Sequence, residues 1–276
     1  ECPRDAMQGL HDFIPTQQKI EYINSILACG FDTVDFGSFV SPMAIPQMRD
    51  TAEVLGELIS SESKLLAIVA NERGANDAAA FDRIDFLGYP FSVSEEFQKR
   101  NTNATIEESF VRVERIQEIA KKSKKELVLY LSMGFGNPYG EAWHPDLVTA
   151  WCEKLYTKLD VNIQALSDTI GAGTPELVSS LFETLIPSLP NVAFGAHLHT
   201  VPENAKFLVE AAYTAGCRRF DGTIKGFGGC PMAADDLTGN MPTEKMLEWF
   251  AENKIETGVD SELFNTALNK ALTVFP

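Results

Sequence analysis

Strand-like and helix-like segments alternate along this chain at a period of roughly 30 residues, the spacing of repeated βα units. The apolar run from Leu65 to Ala70 lacks polar alternation, which marks a strand covered on both faces. By the same reasoning strands are expected at 33–36, 65–70, 84–89, 127–133, 162–166, 192–199 and 219–224. Helices are expected from Pro15, Pro46 and Pro175, where proline suits the first turn because its missing N–H has no partner there anyway. Further helices are expected at 106–119, 147–159 and 205–215, and the tail from Thr243 reads as helical. This gives about seven strands, or eight if the opening Glu1-Cys2-Pro3 is the end of a shortened first strand. Such a series fits a closed α/β (β/α)8 barrel. An open doubly wound sheet fits less well, since no GxGxxG follows an early strand. No Pro/Ser-rich linker divides the chain, so residues 1–276 are expected to form a single barrel domain.

Net charge is −16, which repels nucleic acid and anionic membrane at long range, so neither is expected as a partner. An anionic small molecule can still bind where local cations, a metal or helix N-termini reverse the sign. The five cysteines are odd in number, irregularly spaced and without a CxxC pair. This points to a reducing, cytoplasmic setting and not to a disulfide framework.

In a barrel of this kind, active residues sit at the C-terminal ends of the strands. The polar residues there are Arg4-Asp5, Asp35, Asn71, Asp168 and His197 to His199. His197 and His199 are two apart in a strand, so both side chains point to one face. They are half of the four histidines in the chain, which favours a shared metal over a chance pair. Asp5 can add a carboxylate and Asn240 an amide oxygen, although Asn240 would equally suit a helix N-cap. Two nitrogens and two oxygens without thiolate suit an octahedral divalent ion, Mg²⁺ or Mn²⁺, with Zn²⁺ or Co²⁺ compatible by ligand type. Arg4 could hold a developing enolate oxygen, or simply pair with Asp5 or Glu1. Asp168 could bind substrate or orient a ligand, and Asp35 could belong to a short polar turn with Gly37 and Ser38.

The stretch DGTIKGFGGCPMAADDLTGN, 221–240, places Cys230 on a run of glycines. Glycine lets backbone take positive φ and approach a ligand closely. A thiol on such a loop is exposed, where Cys2, Cys29, Cys152 and Cys217 read as core.

Five stretches carry a resemblance: PRDAMQ (Pro3 to Gln8), SFVSPMAIPQM (Ser38 to Met48), SDTIGAGTP (Ser167 to Pro175), HLH (His197 to His199) and GFGGCP with TGN after it (Gly226 to Asn240). In this order the chain resembles the hydroxymethylglutaryl-CoA lyase family. That family belongs to the metal-dependent barrel superfamily that also holds the isopropylmalate and homocitrate synthases. The resemblance implies Asp5, His197, His199 and Asn240 as metal ligands. It also implies Arg4 as the enolate-stabilising arginine and Cys230 as the acid or base at carbon. Gln8 and Asp168 match residues lining the substrate site, and Asp35, which falls where the family has a glutamate, is expected to bind substrate with them. The sequence departs from the family pattern at Ala6, for glycine, and at Thr200, for aspartate. Lys225 stands in the segment before the glycine loop, and Ser132 to Pro138 lacks the family's cysteines.

The expected activity is metal-dependent carbon–carbon cleavage of a 3-hydroxy-3-methylglutaryl-CoA-like thioester, in a protein that forms a homo-oligomer, a dimer. Asp5 or His197 would act as the base. The alternatives are a condensing synthase, an aldolase on a free hydroxy/oxo acid, and a metal-binding barrel without turnover.

Overall fold

The computed structural model describes residues 1–229 and 238–275. Seven parallel strands form one sheet in sequential order. They are β1 (Thr33–Ser38), β2 (Lys64–Ile68), β3 (Phe86–Ser92), β4 (Glu126–Ser132), β5 (Ile163–Asp168), β6 (Ala193–Leu198) and β7 (Arg219–Asp221). The order β1 to β7 without a crossover is what repeated right-handed βα units produce when the sheet curls on itself. The helices between them are α2 (Thr16–Leu27), α3 (Thr51–Glu57), α4 (Glu72–Ala79), α5 (Glu95–Thr102), α6 (Ile106–Lys122), α7 (Pro145–Leu159), α8 (Pro175–Ser188) and α9 (Ala205–Thr214). The tail forms α10 (Thr243–Glu252) and α11 (Ser261–Val274), and α11 packs beside α2.

The opening of the chain is not a strand carrying Arg4 and Asp5 at its end. Pro3 begins a short helix, α1 (Pro3–Gln8), because its fixed φ suits a first helical turn and it has no N–H for a ladder. Ahead of α1, Glu1 and Cys2 join the ring, as expected of the end of a first strand. The Glu1 N–H donates to the Thr33 carbonyl at 3.0 Å, and Asp35 N–H donates to the Glu1 carbonyl at 2.9 Å. On the other side Cys2 N–H donates to Gly222 at 2.9 Å. Two residues thus bridge β1 to the end of β7, and α1 turns Arg4 and Asp5 over the barrel mouth.

Side chains alternate along each strand between the helical layer and the barrel interior. Leu66, Ile68, Phe86, Val128, Tyr130, Ile163 and Ala165 fill the interior. Their neighbours, among them Leu65, Ala67, Leu87, Leu129 and Leu166, pack against the helices. The interior is therefore a packed core whose C-terminal end forms the floor of the site. Helix starts follow local chemistry: the Thr105 side chain and Glu108 form a reciprocal capping box at α6, an arrangement worth about 1 kcal/mol. The stretch after Pro46 is split where a single helix was expected, into a 3₁₀ turn at Pro46–Met48 and α3. Thr51 Oγ1 donates to the Met48 carbonyl at 2.8 Å across that break.

Candidate active site

Asp5, His197 and His199 present ligand atoms that all lie within 4.8 Å of one another. They come from two distant parts of the chain. Asp5 is delivered by α1, and the histidines by the end of β6 and the residue after Leu198. His199 lies beyond the strand proper, yet keeps the strand's direction because its N–H donates to the Asp168 carbonyl at 3.2 Å and it bridges to Asn240. The two imidazole rings stand 5.7 Å apart.

Asn240 does not cap a helix, since α10 starts at Thr243 behind Pro242. Its amide nitrogen donates to the Phe227 carbonyl at 3.0 Å, which fixes its oxygen as the free end of the side chain. Its segment is sewn to the site by backbone bonds: Asn240 N–H to Gly226, Thr200 N–H to Gly239, and Met241 N–H to Leu198.

The electrostatics of the cluster suit a divalent cation. Burial would raise the Asp5 carboxyl, but Arg4 and the two histidines outweigh it and hold the group well below the ordinary carboxylate range. Burial and the neighbouring His197 charge push His199 down to about 4, so it is neutral at pH 7. Its Nδ1 is buried with no hydrogen-bond partner among the described residues, an arrangement that otherwise carries a desolvation cost of about 1–3 kcal/mol. A neutral imidazole with an orphaned nitrogen beside an ionised carboxylate is a ligand set awaiting a hard or borderline metal. The residues present therefore fit a divalent ion.

Arg4 is buried and fully engaged on one side. Its Nε donates to Asp35 at 3.0 Å and its Nη2 at 2.5 Å, while Nη1 donates to Asp5 at 3.1 Å. Its ion-pair partners are thus Asp5 and Asp35, and not Glu1, whose carboxylate accepts from Ile224 N–H and Thr243. Three contacts leave two of the five guanidinium N–H donors free. Gln8 donates to Asp5 Oδ1 at 2.7 Å. Asp168 is buried, and its oxygens accept from Ala172 N–H at 2.9 Å and Gly173 N–H at 2.8 Å. Those bonds tie down the turn after β5, and burial nonetheless lifts this carboxyl to about 6. Asn71, the remaining strand-end residue, caps α4 by accepting from Gly74 N–H.

Cys230 lies outside the described residues. The arm leading to it is described and explains one glycine. A Cβ on Gly228, whose φ is +89°, would stand 2.6 Å from the Asp5 carbonyl oxygen and 2.9 Å from Ala6 Cα. The loop can lie directly on α1 only because position 228 carries no side chain. Gly228→Ala should therefore lower stability by about 1–3 kcal/mol and weaken Mn²⁺ binding by displacing the α1–loop contact. Thermal unfolding and a Mn²⁺ titration read both effects, and an unchanged midpoint with unchanged affinity would contradict this account.

The departures from the family pattern sit around this centre. Thr200 is buried and its hydroxyl donates to the Val201 carbonyl at 3.1 Å. Lys225 adopts φ +59°, and its ammonium points to Glu244 at 4.0 Å. One residue escaped the sequence reading: Asp221, whose Oδ2 lies 3.2 Å from His197 Nδ1. Its signal was its place two residues after Arg219 on a strand, the inward-facing position at the strand end.

The HMGL-like family profile matches residues 2–270. The chain is 32% identical over 259 residues to the rat cytoplasmic 3-hydroxy-3-methylglutaryl-CoA lyase, covering 94% of this chain and 75% of that protein. It is 32% identical to the hydroxymethylglutaryl-CoA lyase of Pseudomonas mevalonii, covering 94% of this chain and 86% of that one. Among solved structures, the HMG-CoA lyase of Acinetobacter baumannii, in complex with coenzyme A and 3-methylmalate, superposes with a TM-score of 0.91. It shares 29% identity, with 99% of this chain and 89% of that chain covered. The carboxyl transferase domain of Rhizobium etli pyruvate carboxylase shares the fold alone, at TM-score 0.66 and 14% identity, over 99% of this chain and 47% of that one. With its ligand cluster at the strand ends and a family match over nearly its whole length, the chain belongs to the HMGL-like family of barrel carbon–carbon lyases.

Proposed function

We propose that this protein cleaves 3-hydroxy-3-methylglutaryl-CoA, or a close homologue, to acetyl-CoA and acetoacetate with a divalent ion held by Asp5, His197, His199 and Asn240. The observation that carries the proposal is the convergence of Asp5, His197 and His199 within 4.8 Å, with the Arg4 guanidinium in contact with Asp5. When bound, a divalent ion would supply Lewis-acid polarisation and lower the pKa of the substrate's tertiary hydroxyl. Mg²⁺ and Mn²⁺ suit the oxygen and nitrogen donors best, and Zn²⁺ and Co²⁺ are compatible by ligand type.

The rest falls to the chain's own side chains. Of the two expected bases, Asp5 keeps carboxylate lone pairs to take the hydroxyl proton, whereas His197, with Nδ1 turned to Asp221 and Nε2 toward the ion, has none left. The proton's departure turns the oxygen–carbon bond into a ketone, and the adjacent carbon–carbon bond breaks. The electron pair of that bond passes to the thioester fragment as an enolate. Arg4, with two unengaged N–H donors, faces the enolate oxygen and offsets its charge. Cys230 then delivers a proton to the enolate carbon. Gln8 and Asp35 orient Asp5 and Arg4, and Asp168 holds the turn that walls the substrate. The alternative reading is an aldolase acting on a free hydroxy/oxo acid, which Lys225 favours. The Lys225 ammonium lies 4.0 Å from the Glu244 carboxylate, an ion pair that competes with Schiff-base formation.

The test is purified protein with Mn²⁺ and a panel of 3-hydroxy-3-alkylglutaryl-CoA thioesters and free 4-hydroxy-2-oxo acids, with products read by mass spectrometry. Acetyl-CoA and acetoacetate should form from the methyl thioester, and no cleavage should be seen with the free acids. Cys230→Ser should keep Mn²⁺ binding while losing about 10²-fold or more in turnover. Failure to release acetyl-CoA with any of the four metals would sink the lyase reading, and wild-type turnover in Cys230→Ser would remove the thiol's role.

The proposal extends to a cytoplasmic dimer. Four thiols, Cys2, Cys29, Cys152 and Cys217, are free and buried, which suits a reducing compartment. Among the described residues, no helix is long and apolar enough to cross a membrane. Light scattering on the purified protein reads the mass directly, and a monomer mass at micromolar concentration would contradict the dimer. Imaging of the tagged protein in its own cells checks the compartment, and accumulation inside an organelle would contradict it.

A further inference from the structure

The register of β6 on β7 sets His197 directly opposite Asp221. Neighbouring parallel strands run about 4.8 Å apart, and residues in register point to the same face. Both side chains therefore face the barrel interior beneath the mouth, with only 13% and 10% of their surfaces exposed. His197 Nδ1 lies 3.2 Å from Asp221 Oδ2, and Nε2 lies 3.6 Å from Asp5 Oδ2. An ionised carboxylate can only accept, and of the two facing the ring only Asp221 lies at hydrogen-bond distance, so with Nε2 given to a metal the proton sits on Nδ1. Two further groups lock this arrangement. Tyr130 meets the imidazole edge to face at 5.2 Å and 74°. Arg219 Nε stands 4.0 Å from Asp221 Oδ1 and has no hydrogen-bond partner among the described residues, so its buried charge is directed at that carboxylate.

We propose that Asp221 is the positioning residue for His197: it holds the Nδ1 proton, fixes the ring with Nε2 toward Asp5, and so presets one corner of the metal site. Without it the ring is free to turn about its Cβ–Cγ bond, which exchanges the two nitrogens and points the wrong one at the metal. A hydrogen-bonded carboxylate behind a ligating imidazole also raises the ring's basicity as a ligand, and loss of such a partner typically weakens metal binding about 10–100-fold. Cys2, the other ligand-type side chain within 4.8 Å of His197 and Asp221, cannot substitute, because a thiol is a weak acceptor.

The inference rests on the reading of Asp5, His197 and His199 as metal ligands, and the experiment separates the two. Mn²⁺ dissociation constants are measured by calorimetry for the parent, Asp221→Asn and Asp221→Ala, alongside thermal unfolding. Two-bond ¹H–¹⁵N spectra of the Mg²⁺-loaded forms report which nitrogen of His197 is protonated. The parent should bind Mn²⁺ and show a single Nδ1–H tautomer. Asp221→Ala should bind about 10–100-fold more weakly with mixed tautomers, and Asp221→Asn, whose amide oxygen can still accept, should fall between them. If the unpaired charge of Arg219 keeps the alanine variant from folding, the asparagine variant carries the comparison. In that case a loss of several-fold with a disturbed tautomer supports the proposal. Parent-like affinity and one tautomer in a folded variant would overturn it. A parent protein that binds no Mn²⁺ would overturn both this proposal and the metal reading beneath it.

Discussion

Replacing His199 by alanine is expected to abolish measurable Mn²⁺ binding and take turnover to background while the protein still unfolds cooperatively. The reason lies in how the residue is held. Its backbone is fixed by the bond to Asp168 and by the bridge to Asn240, neither of which involves the side chain. Its Nδ1 has no hydrogen-bond partner among the described residues, so truncation strands no protein group and removes a buried atom that was unsatisfied. A stability loss of about 1–2 kcal/mol is what a shortened buried side chain brings. The functional loss should be much larger, because removing a direct ligand exceeds the 10–100-fold effect of removing an outer partner. Calorimetry with Mn²⁺ and thermal unfolding on the same samples separate the two. A variant whose dissociation constant stays within a few-fold of the parent's would take His199 out of the ligand set.

The second large effect is expected at Arg4. Arg4→Lys keeps a positive charge but loses the planar fork that now spans two carboxylates at once. In the parent, Nε and Nη2 hold Asp35 while Nη1 holds Asp5. Two N–H donors remain for an enolate oxygen. A single ammonium cannot hold both aspartates and also donate to substrate in the same geometry. We expect kcat to fall by about 10²–10³-fold with KM changed less, the signature of a contact made chiefly in the transition state. Mn²⁺ binding should persist, which distinguishes this outcome from a collapsed site. An unchanged kcat would reduce Arg4 to a structural tie between α1 and β1.

The barrel was legible in the sequence because its signal is repetitive: long apolar strands separated by helices of regular spacing leave little choice of architecture. His197 and His199 were legible for a related reason, since alternation along a strand places both on one face without knowledge of their neighbours. Asp5 and Arg4 were found as residues but misplaced locally. Glu1 and Cys2 close the ring beside β1, and Pro3 turns the chain into a helix that carries Arg4 and Asp5 where a strand end was expected. Asn240 could not be separated from a helix cap by its own sequence. The distinction lies in the hydrogen bond to Phe227 and in Pro242, which takes the N-cap position of α10 two residues after Asn240. Asp221 was missed because its meaning depends on register. Only the alignment of β7 on β6 brings it to His197, and register between strands separated by a helix is not written in either strand alone.

The proposed metal-ligand set draws on segments far apart in the chain: Asp5 from the first helix, the histidines from β6 and the residue after it, and Asn240 from a segment stitched back onto Leu198, Thr200 and Gly226. A chain emerging N-terminus first therefore carries Asp5 long before any partner exists for it. His197 and His199 follow nearly two hundred residues later, and Asn240 returns only after the glycine loop has been spanned. Contacts of such separation in sequence form late, since their loop-closure entropy is met only once the intervening structure is in place. On the proposed ligand set, tight capture of a divalent ion therefore has to wait for the segment that carries Asn240. A chain synthesised only as far as β6 would offer Asp5 and the two histidines without the amide oxygen of Asn240, so the proposed ligand set is complete only once that segment has folded back onto the strand ends.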